Sequence, residues 1–105
     1  MNATNNELYS KSYDTLLHNE LRDPELAAAY LSAAVEDGST EQLMLALRAV
    51  AEAHGGIGAV AESAHLNRQT MYRTLSNNGN PTLATLLSVL RAMGLNVAFV
   101  PASGR

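Results

Sequence analysis

Seven consecutive positions, Asn67 to Arg73, hold six side chains suited to gripping or reading a nucleic-acid duplex: Asn67, Arg68, Gln69, Thr70, Tyr72 and Arg73. Arginine donates two parallel hydrogen bonds to the O6 and N7 edge of guanine, and asparagine and glutamine do the same for adenine. Threonine and tyrosine suit phosphate oxygens or a thymine methyl. No carboxylate interrupts the set. The competing reading is a solvated face of an ordinary helical bundle. What separates the two is whether one short helix presents all six side chains together while its other side is buried.

Other chemistries find little support. The 105-residue chain has no cysteine, which removes disulfides, thiolate metal sites and thiol nucleophiles. His18, His54 and His65 are scattered, and Glu62 with His65 gives a single copy of a spacing that di-metal bundles use twice. Neither a His-Glu-x-x-His pair nor a Gly-x-Ser-x-Gly elbow is present. Gly55-Gly56-Ile57-Gly58 precedes a helix but lacks the lysine of a phosphate loop, so it reads as a turn. The expectation is a binding protein with no catalytic residues, cofactor or metal.

Charge is unevenly spread. The net value of −3 argues against a general nucleic-acid coat, because non-specific binding runs on neutralised phosphates. Residues 1–37 carry Lys11 and Arg22 against Glu7, Asp14, Glu20, Asp23, Glu25, Glu36 and Asp37; beyond Glu62 the charged residues are Arg68, Arg73, Arg91 and Arg105. One end is acidic and the other basic.

The elements that must position the 67–73 set follow from periodicity and turn chemistry. Two short helical patterns, Ile57 to about Ala64 and Asn67 to about Ser76, are separated by too few residues for anything but a tight turn. A second helix packs closely across a first only where the first has a small residue, and Ala61 stands there. His65 falls where the turn needs a left-handed backbone, a region histidine visits more readily than most residues. Val60, Ala64, Leu66 and Met71 supply inward contacts. Thr74 sits where a bulkier residue is common, leaving Leu75 to pack instead. The pattern is that of a helix-turn-helix.

Upstream, Asp23-Pro24 starts a helix whose inward stripe is Ala27, Tyr30, Leu31, Ala34 and Val35, closed by Gly38. Ser39 and Gln42 open another with the stripe Leu43, Ala46, Leu47, Val50 and Ala51. Downstream, Asn78-Gly79-Asn80-Pro81 is a loop, and Thr82 caps a last helix facing inward with Leu83, Leu86, Leu87, Leu90 and Met93. The predicted fold is all-α, a bundle of five to six helices, divided into an N-terminal polar arm 1–22 with a short helix, a helix-turn-helix domain 23–100 and a tail 101–105.

From Leu95 to Val100 the period changes to extended, predicting one C-terminal β-strand with Leu95, Val97 and Phe99 on one face against the bundle. A lone strand needs a partner, and the same strand of a second copy is the expected one. A homodimer also suits DNA, because one reading helix covers few base pairs and two copies fit half-sites about one helical turn apart. Near the other end, Tyr13, Leu16, Leu17 and Leu21 are spaced for a short helix that either docks into a partner protein or packs as a flap on the chain's own bundle. The opening MNATNNELYS lacks the marks of a secretory signal, and no stretch approaches the ~18 apolar residues of a membrane span. A soluble cytoplasmic protein without membrane contact is expected.

The runs DPELAAAYLSAAVEDG and LALRAVAEAHGGIGAVAESAHLNRQTMYRTLSNNGNPTLATLLSVLRAMGL resemble the addiction-module antidote family over about Tyr13 to Val100. The more specific elements are Asp23-Pro24, Gly55-Gly56, Ala61, Tyr72 to Ser76, Gly79-Asn80-Pro81 and Thr85-Leu86-Leu87. The resemblance implies a lambda-repressor-like (Xre-type) helix-turn-helix and an antitoxin of a type II toxin-antitoxin system. It also implies direct neutralisation of a RelE/ParE-like toxin and repression of the shared operon through operator DNA. The acidic first third would then cover a basic toxin, with Tyr13, Leu16, Leu17 and Leu21 as candidate contacts. A stand-alone transcriptional regulator, without a toxin, is the alternative.

Overall fold

The computed structural model describes residues 15–102, and every regular element among them is helical. Helix α1 covers 15–20, α2 Pro24–Glu36, α3 Thr40–Ala53, α4 Ile57–Ser63, α5 Arg68–Thr74 and α6 Leu83–Ala92. Tyr13, the beginning of the arm and the end of the tail lie outside the described residues.

Four helix starts are fixed by side chains that accept first-turn amide hydrogens left without carbonyl partners. Asp23 Oδ1 accepts from Glu25 N at 2.9 Å, Ser39 Oγ from Gln42 N at 3.3 Å, Asn67 Oδ1 from Thr70 N at 3.0 Å and Thr82 Oγ1 from Thr85 N at 3.1 Å. A cap of this kind contributes about 1 kcal/mol, a large share of the stability of helices as short as α5.

Helix α4 is the hub. It packs against α3, α5 and α6, while α2 lies on α3. Across Gly55-Gly56 the chain bends by 85° between α3 and α4. Leu47, Val50, Ala51, Val60, Ala61, Met71, Leu75, Val89 and Met93 are closed off from solvent by this arrangement. Leu21 joins the same core and Leu17 packs against it. Among the described residues no single helix is long and apolar enough to cross a membrane.

Two predicted stripes are narrower than expected. Val35 is exposed, and the seam that α2 buries, chiefly against α3, runs through Ala27, Leu31 and Ala34. Leu83 is exposed while Val89 is buried, since the side of α6 turned to the core runs through Leu86, Val89, Leu90 and Met93.

The predicted C-terminal strand is not there. Residues 95–102 form no regular element. The first peptide group of the segment already has another use: Gly94 takes φ +81°, its N–H donates to Arg91 O at 3.0 Å, and Leu95 N–H donates to Leu90 O at 2.8 Å. That pair of bonds is the left-handed closure of a helix end, and it brings Leu95 down beside Leu90. Leu95 is thus buried, but Val97 is exposed and Phe99 almost completely so, which corrects the expectation that all three face the bundle.

The α4–α5 connection has the same closure. His65 has φ +60°, its N–H donates to Glu62 O at 3.1 Å, and Leu66 N–H donates to Ala61 O at 2.8 Å. Ala61 therefore anchors the turn through its carbonyl while its methyl, 1% exposed, leaves room at the hub. Leucine at position 61 should overpack this contact by ~1–3 kcal/mol. In a thermal melt followed by circular dichroism, Ala61→Leu is expected to lower Tm by roughly 5–20 °C.

Candidate nucleic-acid interface

The sequence of α5 forces its orientation. Met71 and Leu75, four residues apart, lie on one side of the helix and are 1% exposed in the core. With that side fixed, Asn67, Arg68, Gln69, Thr70, Tyr72 and Arg73 are all exposed. Thr74 is half-buried and Leu75 takes the inward place beside it. The six side chains singled out by type thus share one short helix and its cap, and all are accessible.

Within the set, the Arg68 guanidinium carbon lies 5.9 Å from the centroid of the Tyr72 ring. A planar cation over an aromatic face keeps its edge N–H groups free while losing part of its rotational freedom. Asn67 divides its functions: its side-chain oxygen is engaged with Thr70 N, which leaves the amide NH2 as its free donor.

Both ends of α5 are fixed. The N-terminal end has the Asn67 cap and the His65 turn. At the C-terminal end, Arg48 reaches across from α3, donating from Nη1 to the Leu75 carbonyl and from Nη2 to Asn77 Oδ1 at 3.0 Å. The carbonyls there carry the negative end of the helix dipole, so a guanidinium is well matched to them. The loop that follows closes tightly. Gly79 N–H donates to Ser76 O at 2.8 Å, and a Cβ built at Gly79 would stand 1.7 Å from Thr74 O, so no side chain fits.

Arg48 is the functional residue that the sequence reading missed. The available signal was a single arginine within the apolar run of α3, beside Leu47, but nothing in periodicity tells which carbonyl such an arginine meets.

The N-terminal candidates divide. Leu16 is exposed, Leu17 packs on the core and Leu21, 2% exposed, belongs to it, so Leu21 offers no surface to another protein in this conformation. Around the C-terminal candidates, Val97 and Phe99 join Leu83, Leu87, Leu90 and Leu95 in lining an apolar groove beside α6.

The fold and the site define a small all-helical domain that presents one polar, arginine-bearing helix on a hub of close-packed neighbours. Residues 10–101 match the family described as "Probable addiction module antidote protein", and the chain belongs to that family. An uncharacterized protein of Haemophilus influenzae is 32% identical over 85 residues, covering 81% of this chain and 84% of that protein. No solved structure matches. Membership places the chain on the antidote side of an addiction module, a role that has a toxin as its counterpart.

Replacing Arg48 by methionine keeps the apolar stem and removes both hydrogen bonds. The expected cost is ~1–2 kcal/mol, below the full value for a charged hydrogen bond because the site is only half-buried. In urea denaturation the midpoint should fall with the slope unchanged.

Proposed function

We propose that this chain is the DNA-binding antitoxin of a type II toxin-antitoxin module. In this reading α4, its turn and α5 form a helix-turn-helix of the lambda-repressor type, and α5 enters the major groove of operator DNA. Arg68, Gln69 and Arg73 contact base edges, while Asn67, Thr70 and Tyr72 hold the backbone register. The observation that carries the reading is the exposure of all six side chains on α5, with Met71 and Leu75 locking the opposite side into the core. A net charge of −3 is compatible with it, because the arginines are local to the helix that meets phosphate.

The chain represses its own operon as a homodimer, since two reading helices are needed for two half-sites. Exposed Val97 and Phe99, which line the groove along α6, are the two-fold contact. The toxin is a basic RelE/ParE-like protein, neutralised by direct binding to the acidic first third with Leu16 in the contact. The role is that of a binding protein in the cytoplasm and requires no catalytic group.

The test is a gel shift on duplex covering the promoter upstream of its own gene. Wild type should bind, with affinity falling steeply as salt rises. Arg68→Ala and Arg73→Ala should each cost ~1–3 kcal/mol per half-site, and the double variant should lose the shift with an unchanged circular dichroism spectrum. Equal binding by wild type and the double variant would remove α5 from the interface.

A further inference from the structure

Gly58, in the first turn of α4, has no backbone reason to be glycine. The described glycines with left-handed backbone are Gly38, Gly55, Gly56 and Gly94, and Gly58 is not among them. Inside a helix, glycine is the poorest choice after proline. What stands over it is Arg68. A Cβ built at Gly58 would lie 2.9 Å from Arg68 Nε, 3.1 Å from Cζ and 3.4 Å from Nη2, its three nearest atoms. The same guanidinium lies over the Tyr72 ring, its Cζ 5.9 Å from the ring centroid.

The placement of Arg68 needs a cause. It is exposed, so burial does not hold it, and it occupies the first position of α5, where the helix dipole disfavours a cation. An unrestrained arginine there would extend into water. Instead its guanidinium lies close to the bare Cα of Gly58 on α4 and over a ring one turn along α5.

We propose that Gly58 is a specificity-determining position: with Tyr72 it forms a notch that pre-orients the Arg68 guanidinium for a guanine edge. The inference rests on the reading of α5 as a duplex-contacting helix. An arginine already confined loses less rotamer freedom on binding, and its fixed plane favours the base that offers two coplanar acceptors. Gly58 acts through Arg68 and touches no base.

The test is Gly58→Ala, assayed on the promoter duplex and on the same duplex with single guanines replaced. The added methyl meets the flexible end of one side chain, so the fold should tolerate it, and the better helix former should leave Tm equal to wild type or a few degrees higher. Affinity should nevertheless fall about 3- to 10-fold per half-site, and the penalty for replacing one guanine should shrink. In an Arg68→Ala background the same substitution should change affinity by less than about twofold, because the two residues act as one unit.

Gly58→Ala binding as tightly and selectively as wild type would overturn the notch while leaving α5 as the reader. A fall in Tm accompanying the loss of affinity would also overturn it, as would an equal loss in the Arg68→Ala background; both would mean that Gly58 serves the fold. Absence of wild-type binding to the duplex would instead remove the reading on which the notch rests.

Discussion

A seven-residue helix that must touch three others is the constraint on which this molecule is built. Helix α4 packs against α3, α5 and α6, yet it buries only Ile57, Val60 and Ala61. So short a helix has too few side chains to fill three interfaces by bulk, and close approach is what makes the contacts possible. Ala61 supplies it twice: its methyl takes little space at the hub, and its carbonyl accepts Leu66 N–H and so sets the path of the chain into α5. The direction of α5, and of everything it displays, follows from that one residue and the left-handed turn at His65.

Helix α5 is held rather than self-supporting. At seven residues it has little intrinsic stability, and its order comes from the Asn67 cap, the buried pair Met71 and Leu75, and the clamp formed by Arg48 and the Gly79 loop. A helix fixed at both ends and along one side presents its outward side chains at little further entropic cost, which is the requirement for recognising a rigid duplex. The preorganised polar helix supports the proposed reading, in which this one short segment serves operator recognition.

Much of this was legible in the sequence because the signals were local. Starts at Asp23, Ser39 and Thr82 are written into single residue types before apolar runs, and each side chain accepts a first-turn amide. His65 could be placed in the left-handed region from the spacing to Ala61 alone. What was not legible depends on tertiary contact. Val35 and Leu83 continue their stripes in periodicity, but among the described residues no neighbour covers them. The extended pattern after Gly94 is real in side-chain alternation, yet the backbone of Leu95 is committed to closing α6, and a strand requires a ladder that a single chain does not provide. Arg48 was invisible because the carbonyl it meets lies 27 residues away.

The exposed side of α5 is proposed here as the surface that meets duplex DNA. Amide chemical shifts of 15N-labelled protein, followed while duplex from its own promoter is added, test it most directly. The largest changes should cluster at Asn67 to Arg73 and at Gly58, with α2 nearly silent. Changes centred on α2 or on the groove beside α6, with residues 67–73 unmoved, would contradict that assignment.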